Sequence, residues 1–240
     1  SGGEDFSWIS IFLMLTAIAV GLMVLLGCKE KKTKIEGDYK TEAQEYYDKG
    51  MRDVMKGSCT TGYDKFEKVN DVYPYSDIAK KASIMQIYCE FIQKNYDSVA
   101  SLAELHEKFY PFDMYGDYVA YIRSLALIKK IKGYKRDLRN IENAKQAIQF
   151  LQNSYPSSTY NDFLKSKSDN ILKLEYQNHL ETAMFYIKTN KFLAGFKKII
   201  YIKQHYSSYN FYDTKLINNL YNLSYLQILP NEEVLDIVEN

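Results

Sequence analysis

The sequence predicts an all-α protein in which helical hairpins repeat along the chain. Its 240 residues contain 11 Gly and 4 Pro. So few helix-breaking residues favour long helices over a sandwich or a barrel. Three of the prolines follow a tyrosine, and these are Pro74, Pro111 and Pro156. A proline ends the helix before it, and a following Ser or Asp, such as Ser76 or Asp113, can cap the next helix.

The spacing around these turns predicts the type of repeat. A related turn, His205-Tyr206-Ser207, has Ser207 at the place of the proline. Twelve positions before each of these four turn residues stands a small or medium-sized residue, and these are Gly62, Val99, Ala144 and Gly195. Twelve positions earlier again, in three of the repeats, are Gly50, Ile87 and Ala183. Small residues at such paired positions let two helices pack closely, and Pro74 and Pro111 lie 37 residues apart, near the roughly 34-residue period of tetratricopeptide repeats. We therefore predict a tetratricopeptide-like helical hairpin solenoid of about five repeats, with an incomplete fifth unit at 213–229.

The third repeat departs from this spacing. Ser124 fits the first small position of the repeat, but it lies 20 residues before Ala144 instead of 12. An insert of about eight residues, Ile131–Leu138, therefore separates the two helices. The 39 residues from Ala144 to Ala183 predict longer helices around 161–176.

An uncharged apolar run occupies the N-terminal segment, from Phe6 to Gly27. It is long enough to cross a bilayer as a helix, and it also fits the apolar part of a signal peptide. The run ends at Leu25-Leu26-Gly27-Cys28, which resembles a bacterial lipobox. That resemblance implies lipidation of Cys28 and cleavage just before it, whereas the alternative is a cysteine that ends a transmembrane helix. The predicted domains are a signal peptide or membrane segment at 1–27, a lipidated tether at 28–40, the repeats at 41–230 and a tail at 231–240.

The sequence contains no pattern of an enzyme or a metal site. HExxH, GxGxxG, the Walker loop and GxSxG are all absent, and no His and Cys residues have metal-ligand spacing. We expect no catalytic residue and no cofactor, and the net charge of +1 predicts no attraction to nucleic acid. His106 falls at a helix-packing position and is predicted to be buried. Cys59 and Cys89 could form a disulfide or serve a redox enzyme, but two buried free thiols fit their positions better.

Large side chains on the first helix of each hairpin are the candidates for substrate binding. In a solenoid of this type the first helices line the concave surface. Tyr and Arg bring large contact areas and hydrogen-bonding tips to such a surface. The alternative is that most of these rings pack between helices. The candidates are Tyr46, Tyr47, Tyr88, Phe91, Tyr118, Tyr121 and Arg123.

The repeats, the tether and the insert together resemble the BamD family of outer-membrane protein assembly lipoproteins. The likeness runs from Cys28 to about Pro230. The segments that carry it are Phe66-Glu67, Tyr73-Pro74-Tyr75-Ser76, Tyr118-Val119-Ala120-Tyr121-Ile122-Arg123-Ser124, Arg136-Asp137, Tyr155-Pro156-Ser157-Ser158-Thr159-Tyr160 and Ala183-Met184-Phe185-Tyr186.

This resemblance implies a scaffold without catalytic activity on the periplasmic face of the bacterial outer membrane. The N-terminal repeats would receive the signals of unfolded outer-membrane proteins. The C-terminal repeats would hold a POTRA domain of a BamA-type barrel, beside other lipoproteins of the same machinery. The implied partner-facing residues are Arg136, Asp137, Asn178, His179, Lys197 and Lys198, of which the last four depart from the family's usual residues. The alternative is a different repeat lipoprotein, an adaptor for cell-wall or division enzymes.

Overall fold

The computed structural model describes residues 36–134 and 138–229, and within them the chain forms nine α-helices and no strand. The helices are α1 (Glu36–Met55), α2 (Cys59–Val72), α3 (Asp77–Ile92), α4 (Tyr96–Phe109), α5 (Gly116–Lys129), α6 (Leu138–Ser154), α7 (Tyr160–Lys188), α8 (Phe192–Tyr206) and α9 (Thr214–Ile228). This architecture confirms the predicted all-α fold of repeated helical hairpins. The chain divides into two units, 1–41 and 42–240, and the repeats belong to the second.

Several predicted features lie outside the described residues. They are the apolar segment 1–27, the lipidation residue Cys28, the insert residues Arg136 and Asp137, and the tail 231–240. Of the helices that the structure does describe, none combines the length and apolar character needed to cross a membrane.

The helices pair as antiparallel hairpins, α1 with α2, α3 with α4, α5 with α6 and α7 with α8. In the second hairpin, for example, Ser83 lies against His106 while Phe91, further along α3, lies against Tyr96, near the start of α4. Turns between successive hairpins therefore lie at one edge of the second unit, which we call the proline edge (73–76, 110–115, 155–159 and 207–213). Turns within hairpins lie at the opposite edge, which we call the hairpin edge.

Close helix contacts explain the small residues of the repeat. A Cβ atom at Gly50 would lie 2.8 Å from the Phe66 ring, and one at Gly62 would lie 2.8 Å from Val54 Cγ2. Neither position of the first hairpin has room for a methyl group, which confirms the predicted close packing of α1 on α2. The second hairpin holds Ile87 and Val99 at the matching positions, and both are fully buried.

The insert and the long helix are confirmed, with one change of boundary. Helix α5 ends at Lys129 and α6 begins at Leu138, so Leu138 is helical and does not belong to the insert. The described part of the insert contacts α7 through Tyr134, whose hydroxyl donates a hydrogen bond to Glu181 at 2.8 Å. The predicted lengthening around 161–176 is one continuous helix, α7, of 29 residues.

The two predicted caps have different outcomes. Ser76 caps α3, because its hydroxyl accepts a hydrogen bond from the backbone N–H of Ala79 at 3.1 Å. The prediction for Asp113 is wrong, since the residue before α5 is Tyr115. Asp113 turns inward instead, and its buried carboxylate accepts a hydrogen bond from His106 Nε2 at 3.0 Å. The Asp113 carboxylate therefore bonds to the buried His106 and not to the backbone N–H groups at the exposed start of α5.

Both cysteines in the described residues are buried free thiols, as their positions predicted. Cys59 begins α2 and Cys89 lies near the end of α3, and both belong to the core cluster of the first two hairpins. Burial, and then the neighbouring Cys59, raise the pKa of the Cys89 thiol. A protonated, buried thiol is a weak nucleophile, which argues against a redox role.

Candidate functional site

A groove crosses the first helices of the first three hairpins. Its volume is about 330 Å³, and it is lined by Tyr47 of α1, by Lys81, Ile84 and Met85 of α3, by Tyr115 just before α5 and by Tyr118 of α5. The lining residues of α3 are spaced at i, i+3 and i+4, and Tyr118 of α5 lies three residues after Tyr115 at the start of that helix. Such spacings place side chains on one face of a helix. Parallel first helices therefore form a surface that is mostly aromatic and aliphatic.

Aromatic rings continue this surface onto the start of α7. Tyr121 stacks on Tyr160 with ring centroids 4.5 Å apart, and Tyr118 lies 6.0 Å from the same ring. Phe163 follows at 6.4 Å from both Tyr121 and Tyr160, and 63% of its surface is exposed. We call the whole surface the aromatic groove, and its members are Tyr47, Met85, Tyr115, Tyr118, Tyr121, Tyr160 and Phe163.

The hydroxyls of Tyr47 and Tyr118 are protonated at neutral pH. Burial, and then the neighbouring Tyr160 and Tyr88, raise the pKa of Tyr118 to about 12. Burial also raises the pKa of Tyr47, with a smaller contribution from Asp48. Each of these hydroxyls can therefore donate a hydrogen bond while its ring offers apolar contact. That combination suits an extended peptide, which presents backbone carbonyls as well as apolar side chains.

The predicted substrate-binding residues divide between the groove and the core. Tyr47, Tyr118 and Tyr121 lie in the aromatic groove. Tyr46 and Tyr88 pack against the core cluster of the first two hairpins. Phe91 packs on Tyr96, with ring centroids 5.8 Å apart, across the turn of the second hairpin.

Arg123 lies on a different face from the groove. Its guanidinium donates to Glu104 at 2.5 Å and to Glu107 at 3.3 Å, both on α4. Two residues along a helix turn its face by about 200°, so Arg123 faces nearly opposite to Tyr121. The structure therefore does not bring Arg123 together with the predicted tyrosines.

Sequence reasoning missed Tyr160 and Phe163. They repeat the i, i+3 spacing of Tyr118 and Tyr121, and that pattern is the signal that could have found them. The sequence placed their segment between repeats three and four, so they were not assigned to a first helix.

The predicted partner-facing residues that the structure describes differ in their exposure to solvent. Asn178 donates its side-chain N–H to the carbonyl of Tyr134 at 2.5 Å and so holds the insert on α7. His179 is buried beside the Tyr201 ring, at 4.8 Å between centroids, and accepts from Lys198 Nζ at 3.1 Å. Lys197 is exposed to solvent.

Ser83, His106 and Asp113 form a chain of hydrogen bonds in the interior, which the sequence did not predict. The Ser83 hydroxyl lies 3.0 Å from His106 Nδ1, and His106 Nε2 lies 3.0 Å from Asp113 Oδ2. The order matches a nucleophilic triad, but Ser83 lies in the middle of α3, where helix bonds already occupy the backbone N–H groups. An oxyanion would find no free donors there. The chain of hydrogen bonds therefore joins α3, α4 and the following turn as a structural element.

These two buried histidines predict how stability depends on pH. Burial lowers the pKa of His106 and, with Lys198, that of His179, so both are neutral in the folded chain below the usual value of 6.5. The unfolded chain binds the extra protons, and the free energy of unfolding falls as pH drops below 6.5, by at most about 1.4 kcal/mol per histidine for each pH unit. Urea unfolding at pH 7.5 and 5.5 measures the loss.

The matched variant for this measurement is His179→Phe. It removes one of the two titrating groups, so its stability should change less between pH 7.5 and 5.5 than that of the unaltered chain. An equal or larger change in the variant would contradict the assignment of His179 as a buried neutral histidine.

Comparison with known proteins gives one family. A family model described as YfiO, outer membrane lipoprotein, matches residues 39–229 of the chain. The matched range runs from the first turn of α1 to the residue after α9 and includes the whole aromatic groove. None of the curated proteins compared with the chain matches it.

Proposed function

The chain belongs to the YfiO family of outer membrane lipoproteins, and from this premise we propose that it is a BamD-type scaffold of the β-barrel assembly machinery. In this role the first three hairpins bind the signals of unfolded outer-membrane proteins, and the C-terminal repeats bind a POTRA domain of a BamA-type barrel. The protein recognises and positions its partners and performs no covalent chemistry.

The aromatic groove is the observation that carries this proposal. It crosses the parallel helices α1, α3, α5 and α7, which pack at spacings of about 10 Å. An extended strand advances about 3.3 Å per residue, so about nine residues would cross the groove. Alternate side chains of such a strand would meet the rings, and the tyrosine hydroxyls would meet its backbone. A short aromatic-rich strand at the end of a barrel protein has this length and chemistry.

Exposed side chains at the C-terminal repeats support the second binding surface. Lys197 of α8 is open to solvent, and so are Met184 and Phe185 near the end of α7. A mixture of apolar and basic side chains suits a protein partner more than a small molecule. The insert, with Arg136 and Asp137 in its undescribed part, returns to the same helix at Glu181.

The proposed tether is a lipid on Cys28, followed by a short linker to the repeats. It would hold the protein at the periplasmic face of the outer membrane, beside the other lipoproteins of the machinery. Binding of unfolded substrates there must be reversible, and a partly polar groove allows fast release.

Phe163→Ala tests the groove. We expect at least about a fivefold loss of affinity for a peptide that copies the C-terminal strand of an outer-membrane barrel protein, because an exposed aromatic ring that a bound peptide covers contributes strongly. Fluorescence anisotropy with labelled peptide measures this loss. The matched control is Phe185→Ala, since Phe185 lies on the same helix, outside the groove, and is similarly exposed, at 58%.

Partner capture separates the two halves of the proposal. Native membranes solubilised in mild detergent should yield a BamA-type barrel with both the unaltered chain and Phe163→Ala. Equal peptide affinity of the two phenylalanine variants would contradict the groove assignment. Absence of the barrel from the unaltered preparation would contradict the assembly role and favour an adaptor for cell-wall or division enzymes.

A further inference from the structure

An apolar patch lies at the proline edge, outside the aromatic groove. Its four side chains are Tyr75, Phe109, Phe112 and Met114, of which Phe112 is 98% and Met114 78% exposed. The rings of Tyr75 and Phe109 meet edge-on at 5.8 Å. Tyr110 lines the cavity beside these two rings and also the cavity beside Phe112, so it connects the two parts. Met114 belongs to the same turn as Phe112, two residues further along the chain. We call these four residues the edge patch, and exposed apolar residues grouped at one edge mark an interaction site.

The turn that carries Phe112 and Met114 is held rigidly. Between them Asp113 points inward, and its side chain is fully buried against His106 at 3.0 Å and near Lys80 at 3.8 Å. The backbone N–H of Asp113 donates to the carbonyl of Tyr110 at 3.1 Å. Because Asp113 is anchored inside, the two apolar neighbours are directed outward. Their exposure is therefore a consequence of buried contacts and not of a loose loop.

The other half of the patch has an unfavourable backbone conformation. Tyr75 has a φ of 59°, in the left-handed region that glycine adopts far more easily. The turn nevertheless holds an aromatic ring at this position, with 72% of the residue exposed. The ring adds little to the core, so its role lies at the surface.

The position of the edge patch indicates its partner. All first helices begin at the proline edge, so the chain reaches the second unit, at Glu42, at the same edge as the patch. Thirteen residues separate Glu42 from Cys28, and because 36–41 belong to α1 their span is about 35 Å at most. If Cys28 carries a lipid, as the proposed function requires, the membrane surface is within reach of this edge.

The composition of the patch suits a lipid surface. Its members are aromatic rings and a thioether, and none of the four is charged. Phe and Tyr favour the boundary between headgroups and acyl chains, where an apolar ring can be buried while a hydroxyl stays hydrated.

We propose that the edge patch inserts into the lipid surface to which the acylated Cys28 attaches the protein. The inference rests on the proposed lipid tether and adds to it a defined orientation. A lipid on a linker leaves the repeats free to rotate, whereas a second contact at the proline edge turns the hairpin edge away from the membrane.

A tryptophan reporter tests the insertion. The sequence has one native tryptophan, Trp8, which lies before the proposed cleavage site at Cys28, so Met114→Trp gives the mature lipidated protein a single reporter in the patch. The matched control carries Met55→Trp, because Met55 is 82% exposed at the hairpin edge. The mature lipidated proteins are reconstituted in vesicles of phosphatidylethanolamine and phosphatidylglycerol, with and without brominated acyl chains.

The Met114→Trp reporter should lose at least about half of its fluorescence to brominated lipid, because interfacial side chains lie about 5–10 Å into the boundary region. The Met55→Trp reporter should keep its fluorescence. No quenching at Met114, or equal quenching at both positions, overturns the proposal, as does a response of the Met114 reporter to barrel-signal peptide in place of lipid.

Flotation of the same vesicles separates this proposal from the proposed tether. Protein that floats but shows no quenching at Met114 overturns the edge insertion and leaves the lipid anchor standing. Protein that fails to float overturns both. Circular dichroism of each variant confirms that the helices are intact before either reading is taken.

Discussion

Gly50→Leu is expected to unfold the first hairpin while α7, α8 and α9 stay folded. Even the first carbon of the new side chain would lie 2.8 Å from the Phe66 ring. That ring is fully buried and packs against Tyr47, with centroids 5.6 Å apart, so it has little space to move. Overpacking of this kind costs about 3 kcal/mol or more.

The loss should remain local because each hairpin of a solenoid contacts mainly its neighbours. Hydrogen exchange measures it: amides of α1 and α2 should lose protection, and amides of α8 should keep theirs. Gly37→Ala is the control, since a Cβ there has nothing within 4 Å and alanine is favoured over glycine in a helix by about 1 kcal/mol. Equal loss of protection in all repeats would contradict the local character, and no loss would show that Phe66 can move.

Asp113→Ala is expected to lower the free energy of unfolding by about 1.5–3 kcal/mol. The change leaves the buried His106 Nε2 without its partner at 3.0 Å and removes the carboxylate near Lys80. His106 is 1% exposed in the folded chain, so its Nε2–H would lose its acceptor in a buried site. Thermal unfolding followed by circular dichroism gives the change in stability.

Asp77→Ala is the matched control for this measurement. Asp77 also pairs with Lys80, at 3.3 Å, but its side chain is 93% exposed. An exposed ion pair contributes less than about 1 kcal/mol. If the two alanine variants were equally stable, the buried contacts of Asp113 would not be what holds the turn.

Local patterns were sufficient to predict the helical hairpins. The prolines at positions 74, 111 and 156 end helices through their own geometry, and Gly50 and Gly62 mark a close helix contact. These effects act within a few residues, or between two helices joined by a short turn, so they can be read from the order of residues. The extra length in the third repeat was visible for the same reason.

The membership of the candidate site was less predictable. Arg123 was grouped with Tyr121 because both are large side chains on α5, but the helix turns them to opposite faces. Tyr160 and Phe163 join the groove from α7, a helix whose extent the sequence did not define. The inward orientation of Asp113 was not predicted either, because its partner His106 lies on the preceding helix α4 and not on α5, which it was expected to cap.

By itself the sequence determined that this protein is an array of helical hairpins and that it resembles a lipoprotein family. These features are helix periodicity, turn residues and small packing residues. They are properties of short segments, so they can be recognised without knowledge of the whole fold. Only the tertiary structure decided which rings share the aromatic groove and which apolar side chains form the edge patch. Those groupings depend on the register between neighbouring hairpins, and that register is set by side chains meeting across helices that are far apart in the chain.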